Sequence, residues 1–203
     1  MARKLTKSIE EAGDEFLGIT TLGRDDSHAD ENHHPYEPTP YSVLARMVEE
    51  GVVDKDSSIV DYGSGRGRVG IYFSKMTGCK SLGIEYDEEL YTMSNENLRE
   101  SGVENAEFLL MNAEDFCPSD ENVFFFFNPF SAKILTGVLA KIEESYYDNP
   151  RSIRLCFYYP DDEYISLLMR SDLFMFSDEI DMTDFFGGDK RERVLIFECE
   201  EYL

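Results

Sequence analysis

The chain has no tryptophan and only three histidines in 203 residues, and its four cysteines include no Cys-x-x-Cys pair. Scattered cysteines argue against a disulfide framework and a zinc site, so we expect buried free thiols. The sequence also lacks a basic-then-apolar leader and any apolar run near the ~20 residues that span a bilayer. A cytoplasmic protein without membrane contact is therefore expected.

Positive charge is scarce as well. Lys and Arg number 19 against 42 Asp and Glu, which gives a formal net charge of −23. Because attraction to a nucleic-acid backbone requires clustered Lys and Arg, nucleic acid is an unlikely partner. A protein or a small molecule is the expected substrate.

Two regions differ in composition. Residues 1–35 are polar and charged, which predicts a flexible N-terminal arm, and residues 36–203 carry the apolar periodicity of one globular domain. His28, His33 and His34 lie in the arm beside acidic residues, but their spacing matches no rigid ligand set, so no metal is expected. Pro38 and Pro40 then stiffen a segment that forms either a lid or simply the proline-capped start of the helix at Tyr41.

The strongest motif is Asp61-Tyr62-Gly63-Ser64-Gly65-Arg66-Gly67, which follows an apolar strand and precedes a helix. Glycines without a Cβ allow ligand atoms to approach the backbone, and the helix N-terminus attracts a carboxylate or a phosphate. Glu85 ends the next apolar run, where its carboxylate can accept hydrogen bonds from ribose hydroxyls and would repel a 2′-phosphate. The pattern therefore predicts a site for an adenosine-containing cofactor other than NADP.

Two cofactors remain open on this pattern. The run from Gly65 to Gly70 also fits G-x-G-x-x-G, with Glu85 near the spacing expected for NAD. Asp61 favours S-adenosylmethionine instead, because a carboxylate attracts the ammonium of an amino-acid cofactor and sits poorly beside a pyrophosphate.

These residues resemble class I S-adenosylmethionine-dependent methyltransferases over roughly residues 36 to 200. A narrower likeness links Asp-x-Gly-Ser-Gly-x-Gly and Gly-Ile-Glu to the histone-lysine methyltransferases outside the SET class. The resemblance implies that Asp61 and the glycine loop face the methionine part of the cofactor, Glu85 the ribose and Tyr86 the adenine. The cofactor-binding residues so implied are Asp61, Gly63, Ser64, Gly65, Gly67, Glu85, Tyr86, Asn112 and Ala113.

Strands alternating with helical segments predict an α/β fold with right-handed βαβ units. The expected strands cover 58–62, 80–85, 106–111, 122–127, 152–159, 173–181 and 193–200, and the expected helices 41–50, 68–77, 88–101 and 131–146. The fold class is a Rossmann-like, doubly wound, mostly parallel seven-stranded sheet with an antiparallel C-terminal edge hairpin.

Methyl transfer needs placement more than reactive side chains, and Asn128 is the candidate catalytic residue, because its carbonyl oxygen can orient an amine or amide nitrogen. Amino-group methyltransferases carry Asn-Pro-Pro-Tyr, whereas this chain has Asn-Pro-Phe. Asn128 could alternatively cap the following helix. Candidate substrate-binding residues are Tyr41, Pro129, Phe130 and Tyr159, although Tyr41 could simply pack on the sheet.

The expected function is methyl transfer from S-adenosylmethionine to an unidentified acceptor. The alternatives are an NAD-linked oxidoreductase and a catalytically silent module that binds the cofactor to regulate a partner.

Overall fold

The computed structural model describes residues 2–27 and 32–199, with side chains from residue 9 onward. The described chain forms one seven-stranded sheet with helices on both faces. The helices are α1 (Ala2–Leu17), α2 (Tyr41–Glu49), α3 (Arg68–Thr77), α4 (Glu88–Ser101), α5 (Ala132–Asp148) and α6 (Asp162–Leu168). The strands are β1 (Ser58–Tyr62), β2 (Lys80–Glu85), β3 (Ala106–Leu110), β4 (Val123–Phe126), β5 (Ile153–Tyr158), β6 (Met175–Asp181) and β7 (Arg193–Cys199).

The strand order is β3-β2-β1-β4-β5-β7-β6. Strands β1 to β5 run parallel to one another, while β7 runs antiparallel to both β5 and β6. This arrangement confirms the predicted fold class. The order reverses between β1 and β4, and ligands of open α/β sheets bind beyond the carboxyl ends of the strands at such a point.

Sequence patterns explain the central elements. Every residue of β4 is buried, as expected for a strand covered on both faces. Stacked rings of Tyr62, Phe126 and Phe157 cross three neighbouring strands, with centroid distances of 5.0 Å and 4.6 Å. Asp87 caps α4 by accepting hydrogen bonds from two backbone N–H groups of its first turn. Packing and capping thus hold the carboxyl ends of the strands in fixed positions.

The N-terminal segment differs from the flexible arm that the sequence predicts. Residues 2–17 form α1, and Asp14 and Leu17 are buried against the rest of the molecule. Asp14 accepts hydrogen bonds from the backbone and hydroxyl of Thr21 and from the hydroxyl of Tyr41, each at 2.6 Å. The physical reason is long-range: two carboxylates of α1, those of Glu10 and Asp14, pair with a cationic partner in α3. Residues 28–31, which include His28, lie outside the described residues.

That partner is Arg68, the first residue of α3, which is 2% exposed. Its guanidinium pairs with the carboxylates of Glu10 and Asp14 and donates to the hydroxyl of Thr21 and the carbonyl of Thr39. We call this group of residues the Arg68 cluster. It ties α1 and the segment before α2 to the helix that follows the glycine loop. No described helix is long and apolar enough to span a bilayer.

Candidate active site

The loop between β1 and α3 has the backbone shape that its glycines were expected to provide. Gly63, Gly65 and Gly67 have φ values of 74°, 54° and 85°, in the left-handed region that favours glycine. A Cβ on Gly63 would lie 2.5 Å from Cβ of Pro129, and one on Gly65 would lie 2.4 Å from the ring of Tyr36. The side chains of Pro129 and Tyr36 therefore pack directly against the loop, and residues with a Cβ do not fit at Gly63 and Gly65.

Glu85 ties the end of β2 to this loop. One carboxylate oxygen accepts a hydrogen bond from the backbone N–H of Gly65 at 2.8 Å, and the other accepts from that of Asp87 at 2.9 Å. Burial raises the pKa of Glu85, and the two backbone hydrogen bonds oppose that rise. Each oxygen keeps a second lone pair, so the carboxylate can still accept hydrogen bonds from ligand hydroxyls.

Asp61 is a buried carboxyl group of the site whose hydrogen bonding is incomplete. It is 3% exposed, and within the described part of the chain its Oδ2 atom has no hydrogen-bond partner. Burial raises the pKa of Asp61 to about 8, and the nearby Glu85 carboxylate adds to the rise. The hydroxyl of Ser64 is also buried without a partner. Buried polar atoms are normally paired, so these two point to a ligand that supplies the missing hydrogen bonds.

These groups surround a cavity of about 380 Å³, which we call the first cavity. Most of the predicted site residues line it: Asp61, Gly63, Ser64, Gly65, Glu85, Tyr86, Asn112, Ala113, Asn128, Pro129 and Phe130. Three predicted residues do not line it: Gly67, Tyr41 and Tyr159. Gly67 faces the ring of Phe108, and Tyr41 is buried with its hydroxyl on Asp14. The substrate-binding prediction for Tyr41 is therefore corrected: this side chain is buried against α1, a helix that neither the prediction nor its packing alternative included.

Residues 32–39 cross the mouth of the first cavity, and we call them the strap. Backbone hydrogen bonds join His34 N–H to the carbonyl of Pro129 at 3.1 Å and Ser131 N–H to that of Asn32 at 2.8 Å. The ring of His33 stacks on that of Tyr86 with centroids 3.9 Å apart. The segment expected as a lid therefore lines the cavity from Tyr36 to Thr39, and the lining extends back to Asn32 and includes two histidines whose position the sequence did not indicate. The only sequence signal for the position of these histidines is that they closely precede Pro38 and Pro40.

Asn128 and Tyr159 follow β4 and β5, and both have left-handed backbones, with φ values of 41° and 51°. The side-chain amide of Asn128 donates to the carbonyl of Tyr159 at 2.6 Å, which directs its Oδ1 atom away from that carbonyl. Among the described residues this buried Oδ1 has no partner. Ser131, not Asn128, is the N-cap of α5, so the helix-capping alternative for Asn128 does not hold.

Tyr159 lines a neighbouring cavity of about 550 Å³, the second cavity. The two cavities share His34, Pro35, Glu37, Phe127 and Asn128, which therefore form the wall between them. A group bound in one cavity would approach a group bound in the other at this wall, since Asn128 lines both cavities. No group of three or more potential metal ligands occurs among the described residues.

Comparison with known protein families gives a match over residues 36–117 to the family model of protein-L-isoaspartate (D-aspartate) O-methyltransferase. A protein-lysine N-methyltransferase from Saccharolobus islandicus is 36% identical over 72 residues, which are 35% of this chain and 45% of that protein. A ribosomal protein L11 methyltransferase from Alkaliphilus oremlandii is 36% identical over 56 residues, 28% of this chain and 18% of the relative. The chain thus spans less than half the length of these curated relatives.

Two solved structures share the fold. An RNA methyltransferase from Salinibacter ruber, in complex with S-adenosyl-L-homocysteine, has a TM-score of 0.61 at 21% identity, covering 82% of this chain and 96% of that one. A tRNA (uracil-54, C5)-methyltransferase from Pyrococcus abyssi, also with S-adenosyl-L-homocysteine, has a TM-score of 0.61 at 16% identity, covering 81% and 39%. The comparisons confirm the resemblance to class I S-adenosylmethionine-dependent methyltransferases. Both solved structures were determined with S-adenosyl-L-homocysteine bound.

Proposed function

We propose that this relative of class I methyltransferases binds S-adenosylmethionine in the first cavity and transfers its methyl group to an acceptor presented at Asn128. The observation that carries the proposal is the unpaired, buried carboxylate of Asp61 beside the glycine loop. An α-ammonium group would supply the positive charge and the hydrogen-bond donor that this carboxylate lacks. A pyrophosphate in the same position would raise the pKa of Asp61 further and would supply no hydrogen-bond donor to its carboxylate, which disfavours NAD.

The remaining residues of the cavity fit the same cofactor. Backbone N–H groups at the start of α3 suit its carboxylate, and the free lone pairs of Glu85 suit its ribose hydroxyls. The ring of Tyr86 and residues Asn112 and Ala113 border the part of the cavity where an adenine would lie. When bound, the cofactor supplies an electrophilic methyl group on a sulfonium. The protein then contributes mainly orientation of the acceptor and exclusion of water.

Asn128 is proposed as the group that orients the acceptor. Its hydrogen bond to Tyr159 fixes the amide, so Oδ1 can accept a hydrogen bond from an N–H or O–H of the acceptor. The charge of −23 favours a protein or a small molecule over nucleic acid, although solved relatives with this fold include RNA methyltransferases. A cytoplasmic location remains part of the proposal.

Calorimetry with S-adenosylhomocysteine and with NAD tests the cofactor. We expect binding of S-adenosylhomocysteine alone, and at least tenfold weaker binding in Asp61→Asn protein. Glu143→Gln is the matched control, because Glu143 is an exposed acidic residue of α5 that lines neither cavity. Binding of NAD without S-adenosylhomocysteine would refute the proposed cofactor.

Turnover separates an enzyme from a silent binding module. Label transfer from methyl-labelled S-adenosylmethionine is measured in fractions of a cell extract for wild-type, Asn128→Ala and Glu143→Gln protein. We expect labelling by the wild type and the control, and strongly reduced labelling by Asn128→Ala at unchanged affinity for S-adenosylhomocysteine. Absence of label in every fraction would favour the silent module.

A further inference from the structure

The second cavity adjoins the first at Asn128, and no residue of the glycine loop lines it. It is bounded by the strap, by the ends of β4 and β5 and by the segment before β7. Its lining combines aromatic rings and carboxylates: Phe127, Tyr158, Tyr159, Phe186, Glu37 and Glu192, with Arg24, His34, Pro35, Pro40 and Asn128 completing it. With about 550 Å³ available, it has room for a long side chain or a small molecule beside the first cavity.

Backbone strain occurs at Asn128, in the wall between the cavities, and at Tyr159, which lines the second cavity. Among the described residues, Asn128 and Tyr159 are the only non-glycine residues with positive φ. Such conformations cost about 1–3 kcal/mol each and persist where the surrounding structure enforces them, commonly at functional sites. The two strained residues are linked, because the side-chain amide of Asn128 donates a hydrogen bond to the carbonyl of Tyr159. The result is a buried amide oxygen held at the boundary between the two cavities.

Carboxylates dominate the charge around the second cavity. Burial raises the pKa of Glu192; Asp189 and Glu37 add to the rise, whereas the hydroxyl of Tyr158 and Arg191 lower it. Arg24 pairs with both Asp26 and Glu37, so its single positive charge does not neutralise the carboxylates around this cavity.

One aromatic ring of the lining already interacts with a cation. The guanidinium carbon of Arg191 lies 4.2 Å from the ring centroid of Tyr159. The face of an aromatic ring attracts cations through its quadrupole. A cavity that combines aromatic faces with an excess of carboxylates is suited to a positively charged or amine-bearing ligand, and poorly suited to a phosphate.

We propose that the second cavity is the acceptor site of this enzyme and that it takes an aliphatic primary amine, such as a lysine side chain. This inference rests on the proposed function, which supplies the methyl donor in the first cavity. Glu192 and Glu37 attract the ammonium form, the aromatic rings contact the methylene chain, and Asn128 accepts a hydrogen bond from the nitrogen at the shared wall.

His34 provides the proton acceptor that an ammonium requires before it can react. One ring nitrogen, Nδ1, lies 2.7 Å from the carbonyl oxygen of Asn128 and must donate its hydrogen to it. In the neutral ring the lone pair is therefore on Nε2. The ammonium passes one proton to Nε2, and its nitrogen lone pair then forms the new C–N bond while the S–CH₃ bond breaks. The sulfur keeps that electron pair as a thioether, and the imidazolium returns its proton to water.

Two pools of heptapeptides with randomised flanks test the acceptor class, one with a central lysine and one with central 6-hydroxynorleucine. Binding to the protein saturated with S-adenosylhomocysteine is measured by ligand-detected NMR, and label transfer is measured separately with S-adenosylmethionine. We expect binding and labelling of the lysine pool alone. Glu192→Gln should weaken lysine binding at least tenfold, whereas Glu143→Gln should not change it.

The role of His34 is tested with His34→Gln, which keeps an N–H donor near the Asn128 carbonyl. We expect kcat to fall at least tenfold at an unchanged KM for the lysine pool. Equal binding of both pools, or label found on RNA, hydroxyl or carboxyl groups, would overturn the amine assignment while leaving the proposed function intact. Failure to bind S-adenosylhomocysteine would overturn both.

Discussion

The pKa of Asp61 predicts that cofactor binding depends on pH below neutrality. In the free protein this buried carboxyl has a pKa raised to about 8, so most of it carries a proton at pH 7. An ammonium ligand prefers the carboxylate, and binding must therefore release that proton. One pH unit below the pKa, the ionisation costs about 1.4 kcal/mol, which is a factor of about ten in affinity.

We expect the affinity for S-adenosylhomocysteine to fall about tenfold between pH 7 and pH 6 and to level off near pH 8. Calorimetry in buffers of different ionisation enthalpy should show close to one proton released at pH 7. The matched ligand is 5′-methylthioadenosine, which keeps the nucleoside and thioether but lacks the ammonium. Its affinity should not rise with pH over the same range.

The same carboxyl should affect the stability of the free protein. Between about pH 4 and pH 8 the folded state holds a proton that the unfolded chain releases near the ordinary pKa of 3.8, so stability falls as pH rises. Asp61→Asn removes this dependence. Its melting temperature should exceed that of the wild type by several degrees at pH 8 and approach it near pH 4.

For the binding prediction, an affinity for S-adenosylhomocysteine that is flat from pH 6 to pH 8 would refute the reasoning.

Two other substitutions test the loop and its support. Gly65→Ala should reduce S-adenosylhomocysteine binding at least tenfold by calorimetry, because its Cβ would meet the ring of Tyr36; Gly51→Ala is the control, with a φ of 71° and nothing within 4 Å of the added carbon. Arg68→Gln should lower the free energy of unfolding by about 3–5 kcal/mol in urea titrations, since it leaves the carboxylate of Asp14 buried without its cation; a loss below 1 kcal/mol would show that the Arg68 cluster contributes little.

Local signals account for the best-predicted parts of the fold. The bounds of β1, α3, β2 and α4 coincide with the prediction, because glycines, the Asp87 cap and uninterrupted apolar runs mark those boundaries within a few residues. Strands β3, β4, β5 and β6 differ by one or two residues at their ends, and the predicted end of β7 at residue 200 lies outside the described residues. Most of the predicted cofactor-binding residues line one cavity, since the carboxyl ends of parallel strands meet at one edge of the sheet.

The misses are elements that depend on distant partners. Helix α1 was missed because its many charged residues indicate a flexible arm, although its apolar residues recur at helical spacing. Its burial also depends on Arg68, which pairs with Asp14. Helix α6 is short, and its buried Tyr164 bonds the carbonyl of Phe130, a contact that no local pattern indicates. The position of His34 depends on a backbone bond to Pro129 that closes almost a hundred residues of chain. Such contacts follow from the tertiary fold and not from periodicity.

The Arg68 cluster also decides where this protein can be shortened. A chain trimmed to begin at Tyr36 would keep every residue that the family pattern recognises, yet it would remove Glu10, Asp14 and Thr21 from around the guanidinium of Arg68. Of its present acceptors, that buried cation would keep only the carbonyl of Thr39, and the hydroxyl of Tyr41 would lose its acceptor on Asp14. A useful fragment for expression or for fusion to a reporter therefore includes α1.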